Sequence, residues 1–326
     1  MYGLFSKYSF VAYALLPVVL ILFRIPLFKS PEVALTSYDA DLYTPLWNML
    51  FGGVMAGSVL SIALVLVINF LTCLLVNYIT NNFGFTERPT LLGGLFYIML
   101  SSGFVVSQGF YPVSIFALLF VLALMRLFKG ALLNIKEQYC FESAMIFAIG
   151  SLIWAKGFWF LIFHIVMLIM LRMCTLRTLM ATVLGLLTPT ALFATGLYLN
   201  GTLQTSVIEY ARSLIVPVAF NKTGIFAKIY LSVMALVLIV SMLHILNKMS
   251  TQKILESRYS KIMIWSVFFS VVLLMLPHFS FEIQHIIAVC GAAMLSSFVY
   301  GARSKLISEI ITTAMALLVW SVQWWS

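Results

Sequence analysis

Acidic residues are scarce in this chain: ten among 326, against nineteen lysines and arginines. Charged residues make up only 9% of it and hydrophobic residues 63%. A soluble domain carries about a quarter charged residues, so an ordinary water-facing surface is excluded. Long polar stretches are missing too. None between the apolar runs could house a nucleotide-binding domain, which excludes an ATP-driven pump unless a partner supplies the ATPase. The four cysteines, Cys73, Cys140, Cys174 and Cys290, show no paired spacing. That excludes a disulfide framework or a zinc site of the usual kind and leaves them as buried apolar fillers. No small-x-small cleavage site follows the first apolar run, "MYGLFSKYSFVAYALLPVVLILF". The run is therefore expected to stay as a membrane span and not to be removed as a signal peptide.

What fills the chain instead is a series of apolar runs of about twenty residues. These read as membrane-spanning helices, because lipid offers backbone groups no partner outside their own helix. Eleven are expected, near 9–25, 56–79, 91–107, 111–128, 142–155, 158–172, 178–199, 226–247, 260–277, 283–301 and 306–324. The fold class is then all-α, a single polytopic transmembrane helical bundle over residues 1–326. The net charge of +9 would suggest nucleic acid in a soluble protein. Here the basic residues lie in short links and mark topology, so membrane lipids are the expected partners and nucleic acid is not. With the N-terminus inside, six of the nineteen fall on the outer side: Arg24, Lys29, Lys156, Arg212, Lys222 and Lys228. The other thirteen fall inside, as the positive-inside rule requires, and the C-terminus lies outside.

Two long outer segments remain, 26–55 and 200–225. In the first, "DLYTPLWNMLFGG" sets Leu42, Leu46, Met49 and Leu50 at helical spacing beside Trp47. The pattern fits either an interfacial helix on the outer leaflet or a tilted extension of the second span. The outer side also collects the unusual polar groups: Glu32, Asp39, Asp41, Glu209, Arg212, Lys222, His278, Glu282 and His285.

An aspartate pair in the first outer segment, within "YDADLY" at 38–43, stands just before that expected helix. This order resembles the integral-membrane glycosyltransferases that use lipid-phosphate sugar donors. The resemblance implies Asp41 or Asp39 as base or metal ligand, and a polyprenyl-phosphate-linked sugar as substrate. The chemistry is coherent. A phosphate leaving group needs no protonation, so one carboxylate can activate the acceptor hydroxyl while Arg212 or Lys222 stabilises the departing phosphate. Glu209, Glu282 and His285 complete the candidate substrate-binding set. Such chemistry admits a divalent cation, but no ligand spacing indicates one. The bland alternative is a solvated segment whose acids only mark the outer side. In length, span order and texture ("NNFGFTERPTLLGGLFYIMLSSGF", "LGLLTPTALFATGLYL") the chain also resembles an uncharacterised inner-membrane family of Bacteroidota. That likeness implies a bacterial inner membrane and no particular activity.

Other polar features have structural readings. "FEIQH" sets Glu282 and His285 three apart, half of a di-iron motif but more simply a polar cap on the tenth span. His164 and His244 read as hydrogen-bonded interior histidines. Pro189 in "GLLTPTALFATG" suggests either a broken transporter helix or a simple kink. No charge sits securely at mid-membrane and no two-half repeat is evident, which counts against an ion-coupled transporter. A membrane-embedded glycosyltransferase is the leading expectation. A non-catalytic scaffold or assembly subunit and a transporter gated around Pro189 stay open beside it.

Overall fold

The computed structural model describes residues 1–29, 44–54, 57–104, 106–133, 135–215, 225–276, 279, 283–302 and 304–325. Among them there are helices and no strands. In chain order the α-helices are α1 (Tyr2–Phe5), α2 (Phe10–Leu22), α3 (Ile25–Lys29), α4 (Pro45–Phe51), α5 (Val59–Asn82), α6 (Leu92–Ser101), α7 (Pro112–Leu133), α8 (Lys136–Ile153), α9 (Phe158–Met170), α10 (Leu176–Leu199), α11 (Leu203–Ile215), α12 (Ile225–Lys248), α13 (Ile254–Leu274), α14 (Gln284–Tyr300) and α15 (Lys305–Trp325). Six of them, α5, α7, α10, α12, α13 and α15, are long and apolar enough to cross a membrane. Each of the eleven expected segments coincides with a helix. The remaining five are shorter or less apolar. In particular α6 has ten residues, a rise of about 15 Å against roughly 30 Å of hydrocarbon. It stops well before the expected boundary at 107, and at Gly103 the chain passes so close to the Tyr230 ring that no Cβ fits.

Burial sorts helices that hydropathy cannot tell apart. All ten residues of α6 are buried, and α14 is buried along nearly its whole length. These two pack on each other at the centre, with α5, α12 and α13 around them. By contrast α10 leans on α8 and turns Leu184, Leu187, Leu192 and Leu199 outward. Lipid is as apolar as leucine, so close packing and interhelical hydrogen bonds hold such a bundle together. The bonds run along one buried face of α5. Asn77 Oδ1 accepts the Gly94 N–H at 2.6 Å, satisfying a first-turn donor of α6, whose own N-cap Leu91 supplies no side-chain cap. One turn on, the Tyr97 hydroxyl donates to Asn69 Oδ1 at 2.9 Å. An unmet N–H here would cost several kcal/mol, roughly, because lipid offers no partner.

The links gather at two ends. At one, Leu91 N donates to Phe5 O at 2.9 Å, Lys248 Nζ to Phe85 O at 3.1 Å, Arg258 Nη1 to Leu171 O at 3.2 Å and the Tyr259 hydroxyl to Phe128 O at 2.9 Å. At the other, Thr44 Oγ1 donates to Ile153 O at 2.9 Å, the Tyr210 hydroxyl to Ser151 O at 3.1 Å and Gln284 Nε2 to Leu100 O at 2.6 Å. The first set joins segments that the basic-residue count assigns to the inside, and the second joins segments assigned to the outside. We call them the basic end and the opposite end.

Gly185 lies where α10 meets α8. A Cβ there would strike the Phe141 carbonyl and sit 3.1 Å from Ala144 Cβ and 3.2 Å from Met145 N. It is a contact glycine, and α10 continues through Pro189 without a break. The helix that a transporter would open is therefore whole. Gly185→Leu is expected to cost about 1–3 kcal/mol by overpacking, seen as a lower melting temperature in detergent. Gly196→Leu, where nothing lies within 4 Å of a Cβ, should leave it unchanged.

Candidate functional site

At the opposite end α4, the 3-10 turn Ala155–Gly157 and α11 pack together. Local chemistry sets each element. Thr44 is fully buried; its hydroxyl accepts from Trp47 N at 3.2 Å, capping α4, while Pro45 takes the first turn, where a missing N–H costs nothing. Trp47 is buried against Phe110, ring centroids 5.0 Å apart, whereas Met49 and Leu50 face outward. Ser58 starts α5 afresh with its own side-chain cap. Thus α4 is a separate helix and not an extension of α5.

The end of α10 creates α11. Gly201, at φ +68°, turns the chain, with Thr202 N donating to Leu197 O and Gly201 N to Tyr198 O, both at 3.0 Å. The helix that follows has three flanks. Ser206 and Ser213 are buried against the protein, beside Tyr210, whose hydroxyl reaches Ser151 O at 3.1 Å. Burial pushes that phenol up to about 12, with the hydrogen bond opposing it. Val207, Ile208 and Ile215 form a second, exposed apolar flank, and Glu209 and Arg212 a third, exposed and charged. A helix with protein on one side, apolar residues on the next and charge on the last has the make-up of one lying in a membrane interface.

Of the predicted site residues, Asp39, Asp41, Lys222 and Glu282 lie outside the described residues, as do Glu32 and His278. Glu209 and Arg212 share the charged flank of α11, three positions apart, and form no ion pair with each other. His285 stands elsewhere and is fully buried. Its expected role as a polar helix cap is not what the structure shows. Nε2 lies 2.8 Å from Ser107 O, and a carbonyl can only accept, so this nitrogen carries the proton and bridges α14 to the 3-10 turn Val106–Gln108. The expectation for cysteine needs a similar correction. Cys73, Cys140 and Cys290 are buried fillers, but Cys174 is exposed, because it lies on the link after α9 and not within a helix.

The residue that sequence reasoning passed over is Arg24. It was counted only as an outer topology charge, yet it is fully buried at the opposite end. Nη1 donates to Gln108 O at 3.2 Å, while Nε and Nη2 have no hydrogen-bond partner. Gln108 and Gln323 both direct Nε2 at the carbonyls of Phe23 and Ser102, at 2.9 Å for Gln108 to Ser102 and 2.7 Å for Gln323 to Phe23. Their Oε1 atoms, the Ser102 hydroxyl and His285 Nδ1 are left without partners. The signal available in the sequence was "FRIP", a cation immediately after an apolar run.

Comparison of the chain with family models, curated proteins and solved structures returns no match. The functional reading therefore rests on the residues and their arrangement.

Proposed function

We propose that this is a bacterial inner-membrane protein with eleven membrane segments, the short α6 buried among the others, N-terminus inside, that transfers a sugar from a lipid-phosphate donor at its opposite, outer end. The observation that supports this reading is the three-flanked α11 seated on the 3-10 turn beside α4. Its apolar flank, with the exposed Met49 and Leu50 of α4, suits a lipid tail. Its charged flank carries Arg212, where a donor's phosphate would leave the hydrocarbon. Asp41 lies three residues before Thr44, which is fixed to Ile153 O at 2.9 Å. The general base is thus assigned to a segment whose end is anchored on that same platform. No comparable observation favours the scaffold, and the unbroken α10 removes the feature that suggested a transporter.

The test is donor binding by the purified protein, with a short-chain polyprenyl-phosphate sugar as probe. Arg212→Ala is expected to weaken binding about tenfold or more, the loss of one charge-assisted hydrogen bond of roughly 1.5–3 kcal/mol. Lys222→Ala should do much less, because an ammonium offers a point charge where guanidinium offers a fixed fork. Equal and negligible effects would mean that the 200–225 segment is only a connector.

A further inference from the structure

The Arg24 cluster bears on ligand recognition in its own right, whether or not the chain transfers sugar. Arg24 keeps its charge at neutral pH. Its two unpartnered nitrogens, Nε and Nη2, lie on one edge of the guanidinium and together form a complete bidentate fork. Among the described residues no carboxylate approaches it within 4 Å. Water could serve the neutral groups nearby, but it carries no charge to offset a buried cation.

The neighbouring groups restrict what could. The two glutamines cannot be turned round, since their Nε2 atoms already donate to carbonyl oxygens. Their free Oε1 atoms, and His285 Nδ1 with its Nε2 proton committed to Ser107 O, are acceptors in want of donors. The Ser102 hydroxyl has no partner either. Six unpartnered atoms thus belong to residues gathered around the Phe23 and Ser102 carbonyls and the 3-10 turn Val106–Gln108: two cationic donors, three acceptors and one hydroxyl. Native interiors leave only a few such atoms per hundred residues, so six at one corner need an explanation.

The geometry points to a buried oxoanion site, formed by Arg24, Ser102, Gln108, His285 and Gln323, that takes a phosphate ester bearing free hydroxyl groups. Two phosphate oxygens fill the fork. A phosphate monoester keeps a third oxygen for Ser102, and in a diester one of the two oxygens in the fork accepts from Ser102 with its second lone pair. The ester's hydroxyls donate to the glutamine oxygens and to His285 Nδ1. Arg24 follows α2 at the opposite end and is fully buried there, so a ligand reaches it by parting the packing at that end and not by crossing the bundle. The same chemistry is present in a soluble polyol phosphate and in the headgroup of a glycerol-bearing phospholipid.

Thermal unfolding of the purified full chain in detergent separates these sources. The probes are glycerol 3-phosphate and short-chain phosphatidylglycerol, with glycerol alone and short-chain phosphatidylcholine as controls. One phosphate probe is expected to raise the melting temperature of the unaltered protein by roughly 3 °C or more at a hundredfold excess over Kd. A rise with glycerol 3-phosphate assigns a soluble ligand; a rise with phosphatidylglycerol alone assigns a lipid. Arg24→Lys, which keeps the charge and loses the fork, should abolish the rise, and Ser102→Ala should reduce it. Ligand-free Arg24→Gln should melt no lower than the unaltered protein, since it removes an uncompensated charge. No shift of the unaltered protein with either phosphate probe, or the same shift with both controls, would overturn the site.

Discussion

Membranes carrying Asp41→Asn are expected to transfer sugar about a hundred- to ten-thousand-fold more slowly than those with the unaltered protein, the usual loss when a general base is removed. Asparagine keeps the size of aspartate but cannot take the acceptor's proton. Matching the membranes for protein level lets the loss be read as chemistry. Asp39 lies two residues earlier, and an extended backbone would set both carboxylates on one face. Asp39→Asn is expected to cost less, since Asp41 is the nearer of the two to the fixed point at Thr44. The measurement is transfer from a polyprenyl-phosphate sugar to acceptor in membranes matched for protein level. Full activity in both variants would end the glycosyltransferase reading.

The second large effect is all-or-none and concerns orientation. Cys174 is exposed between Arg172 and Arg177 on the link from α9 to α10, at the basic end, while Cys73, Cys140 and Cys290 are buried. A membrane-impermeant maleimide should leave the protein unlabelled in intact cells and label it once the membrane is permeabilised. Cys174→Ser should remove the signal entirely. Labelling of Cys174 from outside would invert the map, and the α4–α11 platform would then face the cytoplasm.

These predictions draw unequally on sequence and structure. The positions of the helices were legible because an apolar run in lipid has no other fold open to it. The sorting of links into two ends was legible from the basic residues, since Arg258 and Lys248 bond to links that the basic-residue count groups with their own. The burial of α6 and the exposure of α10 were not. Both read simply as apolar spans, because a lipid-facing surface and a packed interior want the same side chains. Only the paired glycines Gly93 and Gly94, where the polar face of α5 approaches, hinted that α6 was central. For α11 the signal was present: Leu203, Val207, Ala211 and Ile215 recur at helical spacing, but the segment is short and flanked by polar residues. Arg24 was the least legible. The cation in "FRIP" marks the end of an apolar run whether or not it is buried, because its burial comes from the turn after α6 and from the last turns of α15.

That last contact ties α15 to the turn that follows α2. Gln323 Nε2 donates to Phe23 O across 300 residues, at 2.7 Å, and also to Ser102 O. During synthesis the groups around Phe23 and Ser102 enter the membrane early, and they must wait there incomplete while the rest is translated. A ribosome adds about 5–20 residues per second, so the wait is on the order of tens of seconds. A chain cut within α15 is therefore expected to insert its earlier helices and leave this corner open.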